Sequence, residues 1–167
     1  MGHYRVWVLL TLKVSRPQTP CQNAEVLTVG KKIKGRKRHI VVDSLGNLLH
    51  VIIHAANVFD SIKGGIVAKE ALERYEHLEL FCADGGYQGT TVLYIIQELK
   101  KLIWISPKIK SPQVSPKRWI VERTFAWLGN FRRLVIDFEK SIHYAAEMIR
   151  IAMITIMLNK LDNSSCF

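Results

Sequence analysis

The order of strand-forming and helix-forming segments constrains the fold more than any other feature of this chain of 167 residues. Residues 36–43 and 48–55 are rich in β-branched residues and flank the turn sequence SLGN, which predicts an antiparallel hairpin. A helical pattern follows from Asp60, a predicted N-cap, to about Tyr75. Further strands are expected at 78–83 and 102–106, with helices at 90–100, 118–128 and 141–161. This order predicts an α/β fold, with helices packed on a mixed sheet.

Residues 1–29 lack the patterns seen in the rest of the chain. Pro17 and Pro20 interrupt regular structure, and no hydrophobic period persists for more than a few residues. The first ten residues carry Arg5 and no small-residue cleavage site, which is not typical of a secretory signal. We therefore expect one folded domain at 30–167, preceded by a segment 1–29 without regular structure.

The charge balance favours a polyanionic partner. Lys and Arg number 24 against 14 Asp and Glu, so the formal net charge is +10, and nucleic acid is the first candidate partner. The apolar stretch 144–158 is short for a membrane span and contains Glu147 and Arg150, which favours a buried helix and no membrane association. Three widely spaced cysteines match neither a disulfide framework nor a zinc site, as expected in a reducing cytoplasm.

Two carboxylates could carry chemistry. Asp84 directly follows an apolar strand, and the carboxyl edge of the strands is where α/β sheets place their sites. Stabilisation of the turn DGGYQG is the alternative role for Asp84. Glu122 lies in the helix RWIVERTFAWLG, whose apolar residues occupy more than one face, so its charge needs a partner. An ion pair with Arg118 or a bound metal ion would each satisfy it. We assign the aromatic residues of this helix, Trp119, Phe125 and Trp127, to packing.

A basic run leads into the first strand of the predicted hairpin. Alternate residues of a strand share one face, so such a run would form a basic strip for phosphates, unless it is only a solvated surface. The run consists of Lys31, Lys32, Lys34, Arg36, Lys37 and Arg38.

Three segments together resemble a known family. GKKIKGRKRHIVVDSLG, ADGGYQG and RWIVERTFAWLGNFRRL are similar, in order and spacing, to DDE transposases of bacterial insertion sequences of the four and five group. The resemblance covers about residues 30–161 and implies a ribonuclease-H-like fold. It also implies that two aspartates and a glutamate hold two Mg²⁺ ions, which cut and rejoin DNA at transposon ends and target sites. Such a core is expected to act with DNA, either as a homo-oligomer or in association with an intact transposase.

The resemblance assigns roles to individual residues. Asp84 matches the second aspartate of the family, and Glu122 matches the glutamate four residues after an arginine, here Arg118. Ser115 and Gly129 stand where the family has tyrosine and lysine. The further basic residues expected to contact DNA are Arg118, Arg123, Arg132 and Arg133, of which the last two could replace the missing lysine.

The family's first aspartate, in a segment that reads DSQSVKT, has no counterpart in this chain. Thr11–Pro17 reads TLKVSRP in its place. Codons for this segment can be chosen so that a frame starting one nucleotide earlier spells DSQSVKT, and the same frame permits RGFDGG just before the basic run. We therefore expect residues 1–29 to be an out-of-frame translation, with the first strand of the fold missing or replaced.

These patterns predict a transposase core that is inactive as this chain. Two other functions are consistent with the sequence. One is a noncatalytic DNA-binding remnant of a transposase. The other is a ribonuclease-H-like nuclease that uses a substitute carboxylate, Asp43.

Overall fold

A mixed sheet forms the centre of the protein. The computed structural model describes the backbone of residues 6–15, 35–107 and 118–164, and the side chains of 35–107 and 119–162. The described strands form a five-stranded sheet in the order β3-β2-β1-β4-β5. They are Val6–Ser15 (β1), Arg36–Val42 (β2), Leu48–Ala55 (β3), Leu80–Ala83 (β4) and Leu102–Ile105 (β5). The β2 strand runs antiparallel to β1 and β3, whereas β4 and β5 run parallel to β1.

Helices cover both faces of this sheet, as the sequence predicts. The described helices are Asp60–Arg74 (α1), Thr90–Gln97 (α2), Arg118–Gly129 (α3), Arg132–Val135 (α4) and Ile142–Ser164 (α5). One apolar core joins Val41 and Phe81 to α1 and α2, and a second joins Ile40 and Ile53 to α3 and α5. Neighbouring residues of β2 therefore enter opposite cores, which is the two-residue period of a strand buried on both faces.

The predicted hairpin is confirmed, with Asp43 at its turn. The Asp43 Oδ1 atom accepts hydrogen bonds from the amides of Leu45 and Asn47, each at 2.8 Å. Gly46 has φ +82°, a left-handed conformation that glycine adopts without a steric penalty. The predicted N-cap is wrong, however, because Phe59 occupies the cap position of α1 and Asp60 is the first helical residue.

The absence of regular structure expected for residues 1–29 is wrong for Val6–Ser15. This segment, VWVLLTLKVS, is the central strand β1, and it pairs with β2 on one side and β4 on the other. Its β-branched and apolar residues suit the middle of a sheet, where both edges of the strand find hydrogen-bonding partners. Pro17 and Pro20 come after the strand, so they do not interrupt it.

Helix α5 is only half buried. Ala145, Ile149 and Met153 lie in the core, whereas Ile151 and Ile154 on the other side are more than half exposed. The expectation of a buried helix is thus correct for one face only. In the described part of the chain, no helix is long and apolar enough to cross a membrane.

Candidate functional site

Asp84 lies at the carboxyl edge of the sheet, immediately after β4. It caps the short 3-10 turn Gly85–Tyr87, and its Oδ1 atom accepts a hydrogen bond from the Gly86 amide at 3.0 Å. Asp84 therefore stabilises the turn and also lies where a site residue is expected. The second oxygen of Asp84 is not needed for this cap, because a carboxylate has two acceptor atoms.

A second carboxylate, Asp60, shares this edge. A methyl group placed on Gly86 would lie 3.1 Å from Asp84 Oδ1 and 3.4 Å from Asp60 Oδ2, so the two carboxylates flank the Gly86 backbone. The other oxygen of Asp60 accepts a hydrogen bond from Lys37 Nζ at 2.9 Å. The sequence analysis does not assign Asp60 to the site. The hairpin could have indicated it, because β3 returns the chain to the edge where β1 and β4 end.

The register of β1 determines which of its positions lies beside Asp84. Leu9 is opposite Ala83 in the parallel pair, so position 10 is the next register position and adjoins Asp84. This is the place in the sheet where a first-strand aspartate would meet Asp84. Leu10 occupies it, and VWVLLTLKVS contains no Asp or Glu at any position.

Glu122 is half buried on α3, next to the fully buried Val121. The structure describes the backbone of Arg118 but not its side chain, so the predicted ion pair between the two residues lies outside the described side chains. Among the side chains that are described, no three His, Cys, Asp or Glu residues are grouped so that they could hold a metal ion. The described carboxylates, Asp84, Asp60 and Glu122 among them, therefore form no three-ligand group.

Asp43 cannot serve as that third ligand. It follows β2, which runs antiparallel to β1, so it lies at the edge opposite to Asp84. Both of its carboxylate oxygens are engaged in the hairpin turn, where Oδ2 accepts from Asn47 Nδ2 at 2.9 Å. The nuclease alternative, which needs Asp43 as a substitute ligand, is contradicted by this position.

Arg36 is not part of a phosphate-binding strip. Its side chain is 1% exposed and forms an ion pair with the buried Asp137, with 3.1 Å between Nη1 and Oδ2. It also donates to the backbone carbonyls of Glu139 and Lys140, each at 2.9 Å. The guanidinium fixes the connection between α4 and α5 to the sheet, so the predicted DNA contact is wrong for this residue.

The other described members of the basic run are also engaged within the protein. Arg38 is buried and donates to the carbonyl of Leu134 at 2.8 Å. Burial lowers the pKa of Arg38, and Asp137 partly opposes this effect. Lys37 donates to the carbonyl of Val58 as well as to Asp60, so it joins β2 to the start of α1. Lys31, Lys32 and Lys34 lie outside the described residues, and their predicted role stays a prediction.

Exposed basic groups are present on α4, and α3 carries the half-buried Arg123. Arg132 is exposed, and Arg133, which is 63% exposed, pairs with Glu139. The Arg123 guanidinium stacks on the rings of both Trp119 and Trp127, at 4.3 and 4.7 Å from the ring centroids. Assignment of Trp119 to packing is wrong in part, because 44% of it is exposed. Arg123 and the two tryptophan rings therefore form one stacked cluster on the helix that also carries Glu122.

Comparisons with known proteins agree with this architecture. The family profile described as "Transposase DDE domain" matches residues 27–157. The chain is 29% identical over 136 residues to the Burkholderia cepacia protein named "Putative transposase for insertion sequence element IS402". That alignment covers 76% of this chain and 64% of the relative, so the chain spans less than two thirds of the relative's length.

A solved structure shares the fold. The catalytic core domain of BIV integrase superposes with a TM-score of 0.56 at 12% identity, and the match covers 92% of this chain and 83% of that one. The arrangement of strands and helices is therefore the ribonuclease-H-like fold of integrase cores, as expected from the sequence.

Proposed function

Because the chain belongs to the transposase DDE domain family, we propose that it is a transposase core whose metal-dependent DNA cleavage is lost in this polypeptide. Asp84 and Glu122 are the two carboxylates retained for that chemistry. The substrate class is DNA, as transposon ends and target. The protein acts alongside other copies of itself or an intact transposase, in the cytoplasm.

One observation carries this proposal, namely the residue beside Asp84 on the neighbouring strand. The register assigns that place to position 10, where leucine offers no ligand atom to a metal ion. The family profile begins at residue 27, so β1 lies outside the segment that resembles the family. Both facts support an N-terminal segment that supplies a strand to the sheet but not the aspartate of that strand.

The described side chains do not complete a Mg²⁺ site. Paired Mg²⁺ ions need several clustered oxygen ligands, and the described side chains offer no group of three. Asp60 is near Asp84, but one of its oxygens is bound to Lys37. We therefore assign no catalytic step to a metal ion in this chain. Its own residues position Asp84 and present basic groups to DNA.

DNA contacts in this proposal come from the exposed cations of α4, together with Arg118 and Arg123 on α3, rather than from β2. Arg132 and Arg133 are exposed on α4, and Arg123 lies one residue after Glu122. Arg118, Lys31, Lys32 and Lys34 remain proposed contacts because their side chains lie outside the described residues. Contacts of this kind are made to phosphates, so they supply affinity with little sequence preference. DNA binding without cleavage would also describe a noncatalytic remnant, which differs from this proposal only in its cellular use.

Substitution of position 10 tests the missing ligand directly. We expect Leu10→Asp to bind Mg²⁺ at least tenfold more tightly than the original chain in calorimetric titrations, because it returns a carboxylate beside Asp84. Adjacent strand positions alternate between the two faces of a sheet, so Thr11→Asp is a control with matched charge. Equal Mg²⁺ affinity of the Leu10→Asp, Thr11→Asp and original chains would show that position 10 is not a ligand position.

A further inference from the structure

Three buried side chains connect the turn after Asp84 to the β2–β3 hairpin. The Tyr87 hydroxyl lies 2.7 Å from His39 Nδ1, and His39 Nε2 lies 2.5 Å from His54 Nε2. His54 Nδ1 lies 2.7 Å from the carbonyl oxygen of Ala55. Tyr87 and His39 are both fully buried, and His54 is 7% exposed. The contacts form a continuous line of hydrogen bonds across two strands.

The direction of each hydrogen bond in this line follows from the acceptor at its end, the carbonyl of Ala55. The Ala55 carbonyl can only accept, so His54 carries its proton on Nδ1. A neutral His54 then accepts at Nε2, which requires His39 to donate from Nε2. A neutral His39 accepts at Nδ1, which requires the Tyr87 hydroxyl to donate. Only one order of protons satisfies these contacts when both imidazoles are neutral.

The surroundings favour the neutral imidazoles. Burial is the main cause that lowers the pKa of His39 to about 3, and His54, Lys37 and Lys63 add to the effect. Burial also lowers the pKa of His54, where Lys37 and Lys63 again act in the same direction. The hydrogen bond to Ala55 and the charge of Asp60 oppose this shift at His54 without reversing it.

Tyr87 links this order of protons to the backbone turn that carries Asp84. Its amide donates to the Asp84 carbonyl at 3.2 Å, and the Asp84 carboxylate accepts from the Gly86 amide. Its ring lies so close to α1 that a methyl group on Gly64 would approach it to 2.4 Å. The ring is thus confined by α1, and its hydroxyl is fixed by His39. Rotation of the Asp84 turn would require both contacts to change.

We propose that Tyr87, His39 and His54 are positioning residues for Asp84, and that their single proton order holds the Asp84 turn in one conformation. This inference rests on the proposed function, which gives Asp84 its chemical role. The three residues do not touch the reacting groups. They act through the backbone of the turn, as a support for the carboxylate.

Two NMR measurements on the chain test the proposal. In protein labelled with ¹⁵N-histidine, two-bond ¹H–¹⁵N spectra at pH 8 should show neutral His54 protonated at Nδ1 and neutral His39 protonated at Nε2, and His39 should still be neutral at pH 5. Amide hydrogen exchange should then report on the turn. We expect Tyr87→Phe, which removes the donor to His39, to speed exchange of the Gly86 amide at least tenfold. The amides of α5 should change by less than twofold.

Matched variants separate positioning from a general loss of stability. Tyr75→Phe removes the hydroxyl of a tyrosine that packs at the edge of the same core, and it should leave Gly86 exchange unchanged. His39→Leu removes the acceptor for Tyr87, because leucine has no polar side-chain atom, so it should reproduce the effect of Tyr87→Phe. The opposite tautomers would overturn the proposal, and so would equal acceleration at Gly86 and in α5. If the variants do not fold, the tautomers of His39 and His54 in the original chain still test the proposal.

Neither measurement involves DNA or a metal ion. Loss of the proton order would refute this inference and leave the proposed function standing. A failure of Leu10→Asp to gain Mg²⁺ affinity would refute the proposed function and leave the proton order intact.

Discussion

The Arg36 side chain is held by an ion pair and backbone hydrogen bonds, although the sequence places it in a basic run. It pairs with Asp137, and the backbone carbonyls of residues 139 and 140 accept hydrogen bonds from its two terminal nitrogens. Charge density in the sequence does not distinguish this arrangement from a solvated strip, because both begin with alternating basic residues on a strand. The partners that distinguish the two arrangements lie far along the chain, since Arg36 and Asp137, which form the ion pair, are 101 residues apart.

This arrangement makes Arg36 a stability residue. Arg36→Ala should lower the free energy of unfolding by about 3 kcal/mol, because it leaves the buried Asp137 carboxylate without its cation. Urea unfolding followed by circular dichroism would measure the change. Arg133→Ala removes a cation whose ion pair is exposed and should cost less than about 1 kcal/mol. Similar losses for the two variants would contradict the role assigned to Arg36.

The buried histidines predict acid sensitivity. The ordinary pKa of histidine is about 6.5, whereas the pKa of His39 in the folded protein is lowered to about 3. Between these two pKa values the unfolded chain binds more protons than the folded protein. The contribution of neutral His39 to the free energy of unfolding is therefore complete above about pH 6.5 and decreases as the pH falls toward 3. The slope from His39 is about 1.4 kcal/mol per pH unit.

Unfolding midpoints measured from pH 7.5 to pH 4.5 would test this dependence. His39→Gln should reduce the slope, because glutamine does not titrate. His143→Gln replaces a histidine that is 73% exposed and should leave the slope unchanged. An identical slope in His39→Gln and the original chain would exclude His39 as its source.

Strand β1 is the element on which sequence and structure differ most. Across residues 1–29 its pattern is obscured, because two prolines and several polar residues follow this short strand. Its pairing partners are also distant in sequence, and they determine its place in the centre of the sheet. The hairpin and the helices α1, α2, α3 and α5 were predictable because local turn signals and hydrophobic periods define them, whereas the four-residue helix α4 was not predicted.

If β1 is an out-of-frame translation, the gene must use specific codons in this segment. For the shifted frame to read DSQSVKT, the Leu10 codon must end in G, Lys13 must be AAA and Arg16 must be AGA. Sequencing the gene checks each base. We expect these codons, with an aspartate encoded across positions 10 and 11 in the shifted frame. A Leu10 codon that ends in another base would give no aspartate there, and β1 would then be a true replacement.

For the whole molecule, the candidate carboxylates are easier to locate from the sequence than the basic residues that face solvent. Asp84 and Glu122 stand in short motifs with fixed spacing, whereas Asp60 reaches the same edge only through the return of β3. The basic residues that face solvent depend on how helices cover the sheet, and the sequence does not show this. Arg36 and Arg38 are covered, whereas Arg132 and Arg133 are exposed.

DNA binding should therefore depend on α4. The double variant Arg132→Ala with Arg133→Ala should reduce the slope of log K against log salt by about one to two, because each phosphate contact contributes about 0.9. Fluorescence titrations with a duplex at several salt concentrations measure the slope. Lys69→Ala with Arg74→Ala removes two exposed cations from α1, on the other face of the sheet, and should have less effect. Equal effects of the two double variants would exclude α4 as the preferred surface.

Nicking of supercoiled plasmid DNA in the presence of Mg²⁺ tests the central claim most directly, since that claim is loss of cleavage through a missing carboxylate beside Asp84. We expect no Mg²⁺-dependent nicking by the original chain, nicking by Leu10→Asp, and its loss when Asp84→Asn is added to Leu10→Asp. Mg²⁺-dependent nicking by the original chain that disappears in Asp84→Asn would contradict the account, because another ligand would then complete the site.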